Sequence, residues 1–484
     1  LLRTERDVMQ IDATRRDFLK LAGMAAAGIA AESSSPVLAQ SSISPNQPWK
    51  ALITSDEARL APSAPISWAP WTAPLGQDCI AIFPDKKFQP ILGFGAAFTD
   101  GACYLFSKLH AQARAELFHT LFHPSEMNLN VCRTCIGSSD NSVTVYSFDE
   151  GDADPDLTRF SIEHDRAYIL PTLREARAIN PDLFLFSSPW SPPGWMKDNG
   201  SLLGGCMHRA HMPSYAKYFV KFLRAYEAEK VPIQAVTIQN EVDADQQGLM
   251  PACFWPQDYE ADFVRLHLGP EFARNGVGTK IWIIDHNYNL WGRAIAELET
   301  PDVRKYTTAV AWHGYTGQPE WMSRVQNAFP DIEMYWTEGS PDHNDPEYMK
   351  CWASWARQFT QILRNSCRGV TSWCFATDEL GHPNVGPYPL GGLITIDSKT
   401  MEIYHSGQYW AMAHFSRFIR RGAFRIQTKG PATDLHHCAF QNPDGSVVVV
   451  LTNSGATRVC QLQLLDQAAS FHLPANSVMT LIST

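Results

Sequence analysis

Short apolar runs alternate with amphipathic stretches from about residue 89 to residue 415, and that rhythm predicts a parallel sheet crossed by helices. The runs fall at 91–95, 131–136, 183–188, 235–239, 281–285, 309–313, 333–337 and 370–375. Between them, the stretch 215–226 repeats apolar residues at 215, 218, 219, 222 and 226, with Lys217, Lys221 and Arg224 on the other face, as a helical period requires. The stretch 348–363 patterns similarly. Eight strand–helix alternations predict an α/β fold of the (β/α)8 barrel type. On either side the pattern turns to strands alone, at 49–54 and 79–83 before the barrel and at 447–451, 461–465 and 477–482 after it, the first of these following the turn Asn442-Pro443-Asp444-Gly445. The expected organisation is N-terminal strands at 41–88, a barrel at 89–415 and C-terminal strands at 416–484. Both flanking segments are expected to join in one β-sandwich packed on the barrel.

Residues 1–39 read as an address rather than as fold. Thr14-Arg15-Arg16-Asp17-Phe18-Leu19-Lys20 is a twin-arginine pattern, followed by a mild apolar run at 21–31 and a small-residue cleavage site, Val37-Leu38-Ala39. The run is too short to span a bilayer. The expectation is a twin-arginine signal peptide and a periplasmic or extracellular mature protein with no stable membrane span.

Composition narrows the classes. With 45% hydrophobic and 19% charged residues the chain supports a large core. The net charge of −10 argues against a nucleic-acid partner, which would require a basic face. The 11 cysteines show no repeating spacing, and the close pair Cys132 and Cys135 lacks a second pair or a histidine cluster. Neither a disulfide framework nor a metal site is expected, and no cofactor is implied.

In a barrel of this kind the chemistry sits at the C-terminal ends of the strands. Those ends carry Asp140, Trp190, Asn240-Glu241, Asp285-His286-Asn287, His313-Gly314-Tyr315, Glu338 and Trp373, with the loop Gly381-His382-Pro383-Asn384 beyond the last. A single glutamate after a strand is usually a solvated loop carboxylate. Two of them, after strands four and seven of a ring of eight, face each other across the mouth. Glycoside hydrolysis needs such a pair, one carboxylic acid to protonate the leaving oxygen and one carboxylate to attack or to activate water. The surroundings suit sugar: Asn240 for a ring hydroxyl, Trp190 and Trp373 as stacking faces, Asp140 for a bidentate pair of hydroxyls. Arg133 points inward from an apolar strand, either as a structural ion pair or as the partner of a catalytic carboxylate.

The strings ILGFGAAFTD, IGSSD, SSPWSPPGWMKDNG, TIQNEVDA, AWHGYTG and WTEGS resemble glycoside hydrolase family 30, the family that includes lysosomal glucosylceramidase, in matching order from about residue 45 to the C-terminus. The resemblance implies a barrel with a fused β-sandwich, retention of configuration and no metal. It implies Glu241 as acid/base and Glu338 as nucleophile in a double displacement, with Asp140, Trp190, Asn240, Trp373 and Asn384 gripping the terminal glucose. Burial and the neighbouring Glu338 charge are then expected to raise the Glu241 carboxyl. The implied substrate is a β-linked glycan or glycolipid, either glucosylceramide-like or a β-1,6-glucan, with β-xylosides or xylan as the alternative. A non-catalytic carbohydrate-binding protein is a remote alternative, because both glutamates and Asn240 are intact. The chain departs from the family pattern at Val242, where Pro is usual, and at Asn141, where Phe is common. Both positions are expected to bear on aglycone preference.

Overall fold

Eight parallel strands close into a barrel: Gly93–Phe98, Val131–Cys135, Phe184–Ser188, Ala235–Thr237, Lys280–Asn287, Thr307–His313, Glu333–Glu338 and Cys367–Cys374. The computed structural model describes residues 47–71, 76–431 and 433–483, so the signal-peptide expectation at 1–39 lies outside the described residues. Among the described residues no helix is long and apolar enough to cross a membrane, and all the cysteines are unpaired.

The lower half of the barrel is filled by side chains. Phe186, Trp282, Ala309, Ala311 and Tyr335 meet there, with Trp282 stacked on Tyr335 at 4.3 Å between ring centroids. This plug fills the interior below the upper end, the end at which barrels of this kind carry their chemistry. The helix Met212–Ala228 shows how the outer layer forms. Tyr215, Tyr218, Phe219, Phe222 and Tyr226 are buried along one stripe, while Lys217, Lys221 and Arg224 stay outside. The helix expected at 348–363 runs instead from Trp352 to Arg364. Its expected first turn is spent elsewhere, because the Tyr348 hydroxyl donates to the carbonyl of Gly392 at 2.8 Å and holds that segment against the loop after the eighth strand.

The chain ends meet in one ten-stranded sheet. Trp49–Ser55 lies against Ser477–Ile482, and Cys79–Pro90 lies between Phe424–Lys429 and Arg458–Leu464. In the central strand Val447–Asn453, alternate residues point opposite ways: Val447, Val449 and Leu451 enter the sandwich core, while Val448 and Val450 join the core of the barrel. That double burial makes the run continuously apolar and fastens sandwich to barrel. The strand Ala58–Ile66 was not expected from its sequence, since it contains Pro62 and Pro65. It lies at the edge of the sheet, where a missing backbone N–H faces no neighbouring strand.

Candidate active site

Arg133 is the centre on which the upper end of the barrel is built. The second strand alternates Val131, Arg133 and Cys135 on one side, and the Arg133 side chain is wholly buried. Its guanidinium donates to Glu338 Oε2 at 2.6 Å, Asp285 Oδ2 at 2.7 Å, Asn240 Oδ1 at 2.9 Å and Ser188 Oγ at 3.1 Å. A planar fork of donors fits several acceptors at fixed angles, which a lysine could not match. Burial opposes ionisation of Asp285, yet Arg133, His313 and Thr237 together hold its carboxyl well below the usual carboxylate range.

Two irregularities in the strands bring consecutive residues into this centre. Period-two alternation would send Asp285 and His286 to opposite faces. The fifth strand instead bulges, with Ile284 at φ 75° and Asp285 at φ 47°, and its register against the sixth strand shifts at that point. Asp285 thereby reaches Arg133 while His286 reaches Glu241. The backbone N–H of Ile284, displaced from the ladder, donates to the Glu260 carboxylate at 2.8 Å. The seventh strand shifts register before Glu338 in the same way, so that Thr337 donates to Asp285 Oδ1 at 2.6 Å and Glu338 still faces inward. Glu241 has a left-handed backbone, φ 58°. Such a conformation in a non-glycine residue costs about 1–3 kcal/mol and persists only where the surroundings hold it. Here the Glu241 N–H donates to the Asp285 carbonyl at 3.0 Å, and the N–H of Asn240 to Pro189 at 2.7 Å.

Glu241 and Glu338 meet on one imidazole. His313 turns Nε2 onto Asp285 Oδ1 at 3.1 Å, which leaves Nδ1 at 3.4 Å from Glu241 Oε1 and 3.7 Å from Glu338 Oε1. With 3.4 and 3.7 Å to one nitrogen, Glu241 Oε1 and Glu338 Oε1 lie at most 7.1 Å apart. Glu338 also accepts the Tyr315 hydroxyl on Oε1 at 3.0 Å. Asn287 fixes that tyrosine by accepting the backbone N–H groups of Tyr315 and Thr316 at 2.9 and 3.0 Å. Burial lifts the Glu338 carboxyl above its ordinary value. His313 and Arg133 pull against that rise, and the Glu241 charge adds to it.

The electrostatics of Glu241 differ from the expectation. Burial does push its carboxyl up, but His286 and His313 more than offset burial and hold it well below the usual range. His286 Nε2 is 3.1 Å from Glu241 Oε1, and its Nδ1 bonds to Asp243. Burial alone would lower the His286 imidazole; the Glu241 and Asp243 carboxylates raise it to about 10. Both shifts favour the proton on the imidazole over the carboxyl, where the sequence places it. The two groups titrate as a pair. Glu241, His286 and His313 are also the group among the described residues whose potential metal-ligating atoms lie within 4.8 Å of one another. Each imidazole there already turns its other nitrogen onto a carboxylate.

Above these groups lies a cavity of about 360 Å³, within the range of small-molecule sites. Asp140, Trp190, Asn240, Glu241, Tyr315 and Glu338 line it, as do His286, Asn287, Gln246, Met250, Tyr388 and Leu390. Asp140 is buried, one of its carboxylate oxygens has no hydrogen-bond partner, and its carboxyl is raised to about 8 by burial and then by the Glu338 charge. Other expected site residues stand behind the wall. Trp373 packs beneath Trp190 with ring centroids 4.8 Å apart, and the Arg133 guanidinium lies over both rings. Asn384 holds its own loop, donating to the Tyr388 carbonyl at 2.6 Å and accepting from Gly386 at 2.7 Å. Val242 is buried away from the cavity, and Asn141 ties Thr99 to the Pro383 carbonyl. The two departures from the family pattern thus touch the site only through the backbone and loops they support. Among the wall residues, His286 and Asn287 were legible as a strand end, whereas Gln246 and Tyr388 sit deep in loops.

A barrel with facing carboxylates at the ends of its fourth and seventh strands, held over a buried arginine and beneath a polar-floored cavity, defines a glycoside hydrolase. The profile for the glycosyl hydrolase family 30 TIM-barrel domain matches residues 91–419, and that for the glycosyl hydrolase family 30 beta sandwich domain matches residues 422–481. The chain belongs to glycosyl hydrolase family 30 and is a β-glycoside hydrolase. It is 34% identical to an endo-1,6-beta-D-glucanase of Neurospora crassa over 402 residues, covering 76% of this chain and 80% of that one. It is 29% identical to the lysosomal acid glucosylceramidase of Mus musculus, covering 78% of each. Among solved structures it superposes on the endo-beta1,6-glucanase BT3312 with a TM-score of 0.82 and 26% identity, over 90% of this chain and 100% of that one. On SrfJ from Salmonella typhimurium the TM-score is 0.86 at 25% identity, over 90% of this chain and 99% of that one.

Proposed function

We propose that the chain hydrolyses β-glucosidic bonds of a glucan, β-1,6-linked, with retention of configuration. Glu338 attacks the anomeric carbon, Glu241 protonates the leaving oxygen, and water then enters with Glu241 as base. The observation that carries this reading is the shared His313 nitrogen. It keeps Glu241 Oε1 and Glu338 Oε1 within 7.1 Å of each other, from the distances 3.4 and 3.7 Å, which supports the roughly 5–5.5 Å of retention over the upper part of the inverting range of roughly 6.5–9.5 Å.

The division of roles follows from the neighbours. Glu338 is gripped on both oxygens, by Arg133 and by Tyr315, which fixes an ionised carboxylate for attack. Glu241 shares a proton with His286, so an acid can be regenerated at the carboxyl as the leaving oxygen gathers charge. Identity to the endo-1,6-beta-D-glucanase of Neurospora crassa supports a glucan over a glycolipid. Proton NMR of the first-formed sugar from an oligosaccharide of β-1,6-linked glucose tests the reading: a β-anomer that slowly mutarotates agrees with it, and an α-anomer contradicts it. Action outside the cytoplasm is part of the same proposal and is supported by the Arg15-Arg16 pattern. Replacing both arginines by lysine and finding the enzyme still exported by the same route would count against that part.

A further inference from the structure

Each oxygen of Glu241 already accepts from a neighbouring side chain. His286 occupies Oε1 at 3.1 Å, and the Gln246 amide donates to Oε2. A glycosidic oxygen that takes its proton from Glu241 competes with these donors for the carboxylate. His286 is buried and anchored by Asp243, whereas Gln246 is half-buried on a loop. Gln246 is therefore the group that yields.

The backbone explains how Gln246 comes to lie there. Gln246, Gln247 and Gly248 form three consecutive left-handed residues, at φ 50°, 53° and 70°. For the two glutamines this costs about 1–3 kcal/mol each, and such cost persists where the surrounding structure imposes it. Asp245 supplies the restraint, accepting the N–H of Gln247 on its side chain at 3.0 Å and that of Gly248 on its carbonyl at 3.1 Å. The amide is then completed from the opposite rim. The Tyr388 hydroxyl, from the loop after the eighth barrel strand, donates to Gln246 Oε1 at 2.6 Å. Asn384 secures that rim through the Tyr388 carbonyl at 2.6 Å.

We propose that Gln246 and Tyr388 form the binding site for the sugar ring on the leaving-group side of the scissile bond, with Gln246 as a latch on Glu241 that the ring displaces. This inference rests on Glu241 being the acid/base. When Gln246 swings away, its amide and the Tyr388 phenol each lose a hydrogen-bond partner. A polyhydroxylated leaving group replaces both, and an alkyl chain replaces neither. The Tyr388 ring, lining the cavity and 46% exposed, also offers a face on which a pyranose can lie. The same site receives an acceptor in the second half of the reaction. There the ester bond between the anomeric carbon and Glu338 breaks, the acceptor oxygen bonds to that carbon, and the acceptor proton passes to Glu241. Water and a sugar hydroxyl compete for this position.

The test measures that competition. An aryl β-glucoside is supplied as donor with glucose as added acceptor, and transfer product is compared with hydrolysis product in the wild type, Gln246→Ala and Tyr388→Phe. The transfer-to-hydrolysis ratio is expected to fall about tenfold in Gln246→Ala and severalfold in Tyr388→Phe, as loss of one or two hydrogen bonds to the acceptor requires. With a simple alkyl alcohol as acceptor the ratio is expected to hold or rise. Should Gln246→Ala fail to fold, the isosteric Tyr388→Phe carries the test alone. Equal ratios in all proteins, or a parallel loss with glucose and with the alkyl alcohol, would overturn the proposal while leaving the hydrolase reading intact. A wild type inert toward both an aryl β-glucoside and a β-1,6-linked glucose oligosaccharide would contradict that reading itself, and this inference with it.

Discussion

His286 holds Glu241 at 3.1 Å through one ring nitrogen and bonds to Asp243 through the other, so Glu241, the proposed acid/base, is one end of a carboxylate–imidazole–carboxylate chain. Two carboxylates on one imidazole favour the imidazolium, and His286 is raised to about 10 against the opposing effect of its burial. The proton held by this pair must be present when the leaving oxygen departs.

The consequence is a displaced alkaline limb in the pH profile of kcat/KM. A group whose proton affinity is raised keeps its proton to higher pH, so the pair delivers it well above neutrality. In His286→Ala the proton resides on Glu241 alone, where burial and Glu338 are the remaining raising effects and no imidazolium stores a proton. The alkaline limb is expected to move down by more than about one pH unit. A limb at the same pH in both proteins contradicts the pairing. The acid limb is expected to report Glu338, which as the proposed nucleophile must be ionised and whose carboxyl is raised. Tyr315→Phe removes a donor to that carboxylate and is expected to move the acid limb upward.

Arg133 neutralises Asp285 and Glu338 inside the barrel, with ion-pair distances of 2.7 and 2.6 Å. Arg133→Met retains much of the volume but leaves two buried carboxylates facing each other. Breaking a buried pair in this way destabilises by about 3–5 kcal/mol. Calorimetric unfolding should show a clear drop in Tm together with loss of activity. A variant with the Tm of the wild type would mean that the arginine is not the electrostatic centre described above.

Asp140 offers a third test. Its carboxyl is raised to about 8, which favours the protonated form near neutrality, and one of its oxygens lacks a hydrogen-bond partner. Sugar hydroxyls donating to it stabilise the ionised form. Binding of a neutral glucose-configured inhibitor at pH 7 is therefore expected to release protons, read as a dependence of the calorimetric heat on the ionisation enthalpy of the buffer. Asp140→Asn should abolish that release. A buffer-independent heat for the wild type contradicts the role assigned to Asp140.

The barrel and sandwich were legible because buried strands announce themselves as apolar runs and amphipathic helices as stripes. The edge strand Ala58–Ile66 was hidden by prolines that only an edge tolerates. The reach of Asp285, His286 and Asn287 into one site depends on a bulge at Ile284 and Asp285, and a β-branched isoleucine inside an apolar run gives no signal of a left-handed backbone. Asp140, Trp190, Asn240, Glu241, Tyr315 and Glu338 surround the cavity, whereas Trp373, His313 and Arg133 support it from behind and Asn384 acts on Tyr388. The Glu241 carboxyl was expected to be raised because its charged neighbour in sequence reasoning was Glu338. The imidazoles that reverse the effect come from two other strands. Loop residues such as Gln246 and Tyr388 carry no periodicity and come together only through the path of the chain.

The assignment of Glu338 as nucleophile and Glu241 as acid/base is tested most directly by the anomeric configuration of the glycosyl azide each alanine variant makes from an activated aryl β-glucoside. Glu338→Ala opens space where the nucleophile stood, so azide attacks from that face and an α-glycosyl azide results. Glu241→Ala still forms the ester on Glu338, and azide entering from the opposite face gives the β-glycosyl azide. Its unassisted rate on a poor leaving group should fall by about 10²–10⁴. The opposite pairing of products, or unrescued wild-type-like turnover by Glu338→Ala, contradicts the account.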